Sequence, residues 1–454
     1  MINLLKRTTK DKASDKEVFK LGWPILLEYL IKVGCTSANV FMVAYFGGQA
    51  VAAVGCVNQL VSVSMFLYGF ATVGAQILIA QYIGAKLNDK IENIVMTAFL
   101  SSALIGLAIT LLMFFVANPI LTIMQLKPDV IHFGVPYLQM SGIATVFNAI
   151  SGVSIAVLRS FMHTRHSLKI PMTTFIIELV LNIIVILFLP KLGMFGIGAN
   201  YAIASLISMF VGFYLLEKHT DFTIRRFSLK RIELPILKKI FLYGIPSSGE
   251  PLSYTASQLV VTIIVAMLGT KALIAKNYVQ AIVQFTCLIA LAIAQSSQII
   301  IARNVGARRF NFVHRRGLRS LIQAIFASFA VALLIWAFGG HILGLLTDDS
   351  YVIKLARIIL FVEIFLEIGR AACMMMVNAL NASGDVKYPV TISLITVWAL
   401  SLPLSFLFSI PLHLGLVGVW LAYTTDECVR GFFLVRRWLS GIWREKSIVT
   451  RRHR

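Results

Sequence analysis

The sequence predicts an all-α polytopic membrane protein, with twelve transmembrane helices in two six-helix lobes related by a pseudo-two-fold axis along the membrane normal. Three observations predict it. The chain is 58% hydrophobic and only 13% charged, with a mean hydropathy of +0.84, where soluble domains carry about 25% charged residues. Apolar runs long enough to cross a hydrocarbon core, about 20 residues each, occur twelve times. Finally, Gly22, Pro24, Glu28 and Leu30 return as Gly244, Pro246, Glu250 and Leu252, 222 residues later in the chain.

The apolar runs fall near 19–46, 52–83, 92–117, 130–158, 168–190, 194–217, 240–268, 272–302, 318–346, 352–380, 388–410 and 415–438. The formal charge is +21, yet the basic residues sit in short clusters between these runs. That pattern fits loops against an anionic bilayer surface and argues against a nucleic-acid partner. The N-terminus, the loop 159–169 (Arg159, Arg165, Lys169), the stretch 218–239, the loop 303–319 (including Arg308, Arg309, Arg315 and Arg316) and the tail are basic, whereas the alternate loops carry at most one basic residue. The expectation is a multi-pass protein of the cytoplasmic (inner) membrane with both termini cytoplasmic. Arg159, Arg165 and Lys387 then read as topology and headgroup contacts. The first 18 residues lack an apolar core with a cleavage site, so no removable signal peptide is expected. The five cysteines show no metal-ligand or CxxC spacing and read as small core residues.

The repeat runs along the chain at one offset. Gly47, Ala50 and Ala53 match Gly269, Ala272 and Ala275; Gln76 matches Gln298; Gly84-Ala85 matches Gly306-Ala307; Gly193, Gly196 and Tyr201 match Gly415, Gly418 and Tyr423. A single ungapped offset that keeps glycines, prolines and glutamines marks a duplicated six-helix unit. Six is even, so both copies keep one orientation, with a site expected between them. The division expected is a lobe over 1–218, a basic linker over 219–239, and a lobe with tail over 240–454.

Seven acids lie inside the predicted helices: Glu28, Glu178, Glu250, Glu363, Glu367, Asp426 and Glu427. A carboxylate at membrane depth is costly and reads first as functional. On the first helix Glu28, Lys32, Cys35 and Asn39 share one face, by steps of four, three and four residues. Two readings stand there: Glu28 and Lys32 neutralise each other as an i, i+4 pair, or both line a wet cleft. The equivalent stripe on the seventh helix holds Glu250, Tyr254 and Ser257 with no lysine, so Glu250 has no cation nearby in sequence. The tenth helix aligns Glu363, Glu367, Arg370 and Asn378, and the twelfth carries Asp426, Glu427 and Arg430. Counted at 1.5 Å per residue, Glu250, Glu367 and Asp426 lie at one level, roughly 16 to 21 Å deep, which makes them, with Glu28, the candidate sites for a proton or a Na⁺ ion. Local ion pairs with Arg370 and Arg430 are the structural alternative. Asn39, Lys32, Tyr254, Gln280, Asn182, Glu363 and Arg370 are the candidate cleft residues, although Asn148, Asn182, Asn200 and Gln280 equally suit interhelical hydrogen bonds. Pro24 and Pro246 are the candidate bending points. The methionines, Met374 to Met376 among them, read mostly as lipid-facing packing.

The stretches 22–85 and 244–307, Gly47, Gln76 with Gly84-Ala85, Gly384-Asp385 before Pro389, and the segment 415–420 resemble the multidrug and toxic compound extrusion transporters. The resemblance covers nearly the whole chain. It implies an exporter of two six-helix lobes alternating between outward and inward states, driven by inward flow of H⁺ or Na⁺. It implies small amphipathic, often cationic, organic substrates and no cofactor beyond the coupling ion; the protein is expected to act as a monomer. Two departures stand out: the family's usual first-helix aspartate is Asn39 here, and the acid often found four residues after Asn182 is Ile186. These deplete the first lobe and direct the coupling site to the second. A lipid or lipid-linked oligosaccharide flippase of the same architecture is the alternative, since Lys32 and Arg370 could meet phosphates. An intramembrane enzyme is disfavoured: there is no HExxH motif and no Ser/His/Asp set within the helices, and His132, His163, His166 and His413 sit near helix ends.

Overall fold

The apolar runs form helices throughout the computed structural model, which describes residues 9–220, 222 and 233–449. Twelve long helices follow in order: α1 (Thr9–Val43), α2 (Gly48–Gly84), α3 (Asn88–Phe115), α4 (Pro128–Ser160), α5 (Lys169–Phe188), α6 (Gly193–His219), α7 (Leu234–Met267), α8 (Thr270–Gly306), α9 (Phe310–Gly344), α10 (Ser350–Ser383), α11 and α12 (Gly415–Leu439). Helix α11 runs through Lys387–Thr396, a π-helical turn at Val397–Ser401, and Leu402–Ser409. Among the described residues ten of these helices are long and apolar enough by length and composition to cross a membrane. The other two, α10 and α12, carry the charged rungs Glu363–Glu367–Arg370 and Asp426–Glu427–Arg430. The basic residues Lys6 and Arg7, Arg225, Arg226, Lys230 and Arg231 of the expected linker, and the tail from 450 lie outside the described residues.

The duplication is written into the backbone. Gly47 and Gly269, which open α2 and α8, have φ of 105° and 101°, a region closed to residues with a Cβ. Positive φ recurs at the same offset for Lys86 and Arg308, Met162 and Gly384, and Gly193 and Gly415. Each copy therefore turns its chain at equivalent positions, which explains why the glycine matches in the sequence hold their register.

The chain forms two compact units, one of Met1–Leu26 with Gly249–Arg454 and one of Leu27–Ser248. Relative to the sequence halves, they exchange the first part of α1 and the first part of α7. The two boundaries are themselves 222 residues apart, each two residues beyond a proline, Pro24 or Pro246. Both helices stay continuous through those prolines. The start of α1 is held in its unit by Arg316 of α9, which is 2% exposed and reaches Asp15 at 2.5 Å and Ser14 at 3.4 Å. Arg316, expected among surface topology residues, is thus a buried anchor.

In the unit Leu27–Ser248, α4 is the central helix and packs against α2, α3 and α6. Val54, Val57, Met113, Leu121, Leu138, Val185 and Ile197 fill its core. In the other unit the equivalent helix α10 packs against α8, α9 and α12, around Val265, Val279, Ile359, Leu366, Val419 and Trp420. Met375 and Met376 are fully buried in this unit, so these two are core residues rather than lipid-facing ones. Where α2 crosses the start of α7, backbone meets backbone. A Cβ on Gly244 would fall 1.7 Å from the Phe70 carbonyl oxygen, and one on Gly74 would fall 2.1 Å from that of Ile240, the small-residue approach typical of membrane helices. The matching Gly22 is looser, with Ser296 Oγ at 3.3 Å.

Gly244→Ala forces the two backbones apart and should lower stability by about 2–3 kcal/mol, the usual cost of overpacking. Gly249→Ala, which has open space around it, should change it by less than about 0.5 kcal/mol. Thermal unfolding of the two variants in detergent checks the difference.

Candidate functional site

The acids of α7, α10 and α12 gather around two arginines in the unit that contains Gly249–Arg454. Spacings of three and four residues put Asp426 and Glu427 on the turn before Arg430. The Arg430 guanidinium, 4% exposed, lies 2.5 Å from Glu427 Oε1, 3.8 Å from Asp426 Oδ2 and 3.6 Å from Glu250 Oε1 of α7. Glu250 also accepts a 2.9 Å hydrogen bond from Ser393 of α11. Glu250 therefore has a cation after all, supplied by another helix. On α10, Arg370 Nη1 reaches Glu363 at 2.7 Å and Glu367 at 2.5 Å. Glu363 is fixed further by the Trp420 indole at 2.6 Å, and Glu367 by the Thr286 hydroxyl of α8 at 2.9 Å.

The local ion pairs of α10 and α12 are present, and Arg430 additionally joins α7 to α12. Glu250 and Asp426 share one guanidinium, while Glu367 belongs to the other. The charge does not balance. Five carboxyl groups, Glu250, Glu363, Glu367, Asp426 and Glu427, face two guanidinium groups. Three carboxylate oxygens, Glu367 Oε2, Asp426 Oδ1 and Glu427 Oε2, are buried with no hydrogen-bond donor among the described residues. Buried acceptors left without donors are costly, and a proton on the carboxyl group removes both the charge and the deficit.

Of the remaining second-lobe candidates, Tyr254 of α7 is half-buried within electrostatic reach of Arg370, Arg430 and Glu427. Gln280 is exposed on α8, and Asn378 bonds back to the Met374 carbonyl of its own helix at 2.8 Å. The unit also buries Lys276, 3% exposed, whose ammonium bonds the Thr262 hydroxyl at 2.5 Å.

In the unit Leu27–Ser248 the stripe on α1 turns inward as its spacing implies, but its partners differ from the local pair. Glu28 Oε2 takes a 2.7 Å ion pair from Arg159 of α4, with the two side chains 16% and 8% exposed. Arg159 is therefore an interior counter-ion, not a headgroup contact. Lys32 forms no close ion pair with Glu28, though it stays within its electrostatic reach, and donates to Met65 Sδ of α2 at 2.7 Å. Cys35 donates to Glu178 of α5 at 3.2 Å and Asn39 to the Tyr137 hydroxyl of α4 at 3.0 Å. Asn200 donates to Asn182 at 2.9 Å and Asn148 to the Tyr201 hydroxyl at 2.9 Å, the interhelical role that such residues suit. Sequence reasoning missed Arg159, Ser393, Thr286 and Trp420 as partners. The available signal for Arg159 was its place at the end of a long apolar run. The rings of His163, His166 and His219, placed near helix ends, also meet, with 3.7 Å between the centroids of His166 and His219.

A duplicated twelve-helix bundle with buried charge at the middle of its helices defines a membrane transporter, and the family model confirms it. The chain belongs to the MatE family, whose model matches residues 24–187 and again 246–407, once per copy. It is 31% identical over 450 residues to the uncharacterized transporter YisQ of Bacillus subtilis, covering 98% of this chain and 99% of that protein. It is 23% identical to the probable multidrug resistance protein NorM of Thermotoga maritima, over 96% and 94% of the two chains. Among solved structures, the bent form of the Vibrio cholerae MATE transporter VcmN superposes with a TM-score of 0.87 at 19% identity, covering 97% of this chain and 99% of that one.

Glu28→Gln removes the carboxylate from a buried guanidinium and should destabilise the protein by about 3–5 kcal/mol. Lys32→Met should shift stability by less than about 0.5 kcal/mol, because no ion pair is lost. If Lys32→Met were instead as damaging as Glu28→Gln in thermal unfolding, the assigned pairing would be wrong.

Proposed function

We propose that this protein is an ion-coupled antiporter of the cytoplasmic membrane, acting as a monomer with both termini cytoplasmic. It expels small amphipathic, often cationic, organic compounds in exchange for inward flow of H⁺, with Na⁺ as the alternative coupling ion. The observation that carries this reading is the excess of buried carboxylate over guanidinium around Arg430 and Arg370, with three carboxylate oxygens lacking donors. Neutralising a buried carboxylate removes a desolvation penalty of several kcal/mol. A bias of about 5.5 kcal/mol is what a transporter needs to move from almost wholly one state to almost wholly the other. Protonation near Glu250 and Asp426 therefore supplies free energy on the right scale. A cationic substrate competes for the same negative charge, so proton and substrate exclude each other. The names of the NorM relatives, probable multidrug resistance proteins, support the class of cargo.

Purified protein in liposomes should expel a cationic dye under an inwardly directed pH gradient. Glu250→Gln should reduce that flux to the empty-liposome level while its thermal unfolding remains cooperative. Undiminished flux in this variant would remove Glu250 from the coupling role, and flux driven only by a Na⁺ gradient would assign the other ion.

A further inference from the structure

The inward stripe of α1 leaves one charge unaccounted for. Glu28, Cys35 and Asn39 are each committed to a named partner within the unit Leu27–Ser248. Lys32 lies among them, one turn after Glu28 and three residues before Cys35, so its side chain leaves α1 on the interior face rather than the lipid face. It is roughly 16 Å along the helix from Val43, at 1.5 Å per residue. The nearest acid in sequence, Glu28, is taken by Arg159 at 2.7 Å. The one hydrogen bond of the Lys32 ammonium goes to the Met65 thioether, and the side chain remains exposed. A thioether sulfur is a weak acceptor and carries no charge. Among the described residues no carboxylate lies within ion-pair distance of this ammonium, and the one within electrostatic reach, Glu28, is already held by Arg159; an accessible charge so placed at membrane depth reads first as functional.

We propose that Lys32 is the anchoring cation for an anionic group, a carboxylate or phosphate, carried by the transported amphiphile. The proposal deepens the export reading by naming the substrate class: molecules with an apolar body and at least one negative group, including zwitterions that also carry the positive charge of that reading. Lysine acts here as a point charge, three donors on a flexible stem, and so accepts carboxylate and phosphate without demanding a planar, two-pronged partner. Met65 beside it is an adaptable apolar wall for the body of such a molecule.

The test is equilibrium binding, which needs no ion gradient and so stands apart from any failure of the antiport reading. The intact protein in nanodiscs of zwitterionic lipid is titrated with 1-pyrenebutyrate and with its methyl ester, each corrected against empty nanodiscs. The acid should bind about tenfold or more tightly than the ester. Lys32→Met should erase that difference, and Lys32→Arg should keep most of it, with unfolding temperature confirming that both variants are folded. Repeating the titration with phosphatidylglycerol in the nanodiscs separates the sources of the anion: suppression of acid binding in the native protein assigns the site to a lipid phosphate, and no suppression assigns it to a soluble carboxylate. Equal binding of acid and ester, no binding of the acid at millimolar concentration, or a preference that survives in Lys32→Met would each overturn the proposal.

Discussion

A guanidinium buried among three carboxylates organises this molecule. Arg430 binds Asp426 and Glu427 of its own helix and Glu250 of α7. Each of these groups would be prohibitively costly alone at membrane depth. Together they still do not reach neutrality, and with Glu363 and Glu367 around Arg370 the imbalance grows. Replacing both arginines by apolar residues would leave the acids without counter-charge, and adding arginines would complete the pairing and end any need for a proton. The proposed ion coupling rests on this excess of acid.

The two copies have drifted apart around this chemistry. Glu28 and Glu250 occupy equivalent positions in α1 and α7, and both find an arginine on another helix. The arginines themselves are not equivalent: Arg159 stands at the end of α4, Arg430 in the middle of α12. In the first copy one carboxylate meets one guanidinium closely, at 2.7 Å. In the second, the carboxylate is 3.6 Å from a guanidinium already engaged by two other acids. The equivalent glutamate thus closes a one-to-one ion pair in one unit and shares its guanidinium with two other acids in the other. The first unit sets Glu28 and Glu178 against Arg159 and Lys32, whereas the second sets five acids against Arg370 and Arg430.

Much of the fold was legible in the sequence because its signals are one-dimensional. Twelve apolar runs became twelve long helices, and the single offset linking Gly47 to Gly269 reappeared as shared backbone angles at four pairs of positions. α10 and α12 were legible from length despite their charges. The face shared by Glu28, Lys32, Cys35 and Asn39 was also correct. Their partners were not readable, since helical periodicity says which residues of one helix share a face and nothing about what stands opposite. The cation nearest Glu28 in sequence is Lys32, four residues on, whereas its partner Arg159 lies 131 residues away. The same limit left Glu250 without a cation on paper and hid Ser393 and Trp420. The exchange of the first parts of α1 and α7 between the units was hidden too, because compactness is a property of the packed chain and leaves no mark in composition.

The central claim, that buried carboxylates near Arg430 exchange protons for substrate, is tested most directly by counting protons. Purified protein in a weakly buffered detergent solution is titrated with a cationic dye while pH is recorded. The account predicts proton release that saturates together with dye binding and is sharply reduced in Asp426→Asn. Saturable dye binding with no proton release across the range pH 5 to 8, or unchanged release in Asp426→Asn, would contradict it.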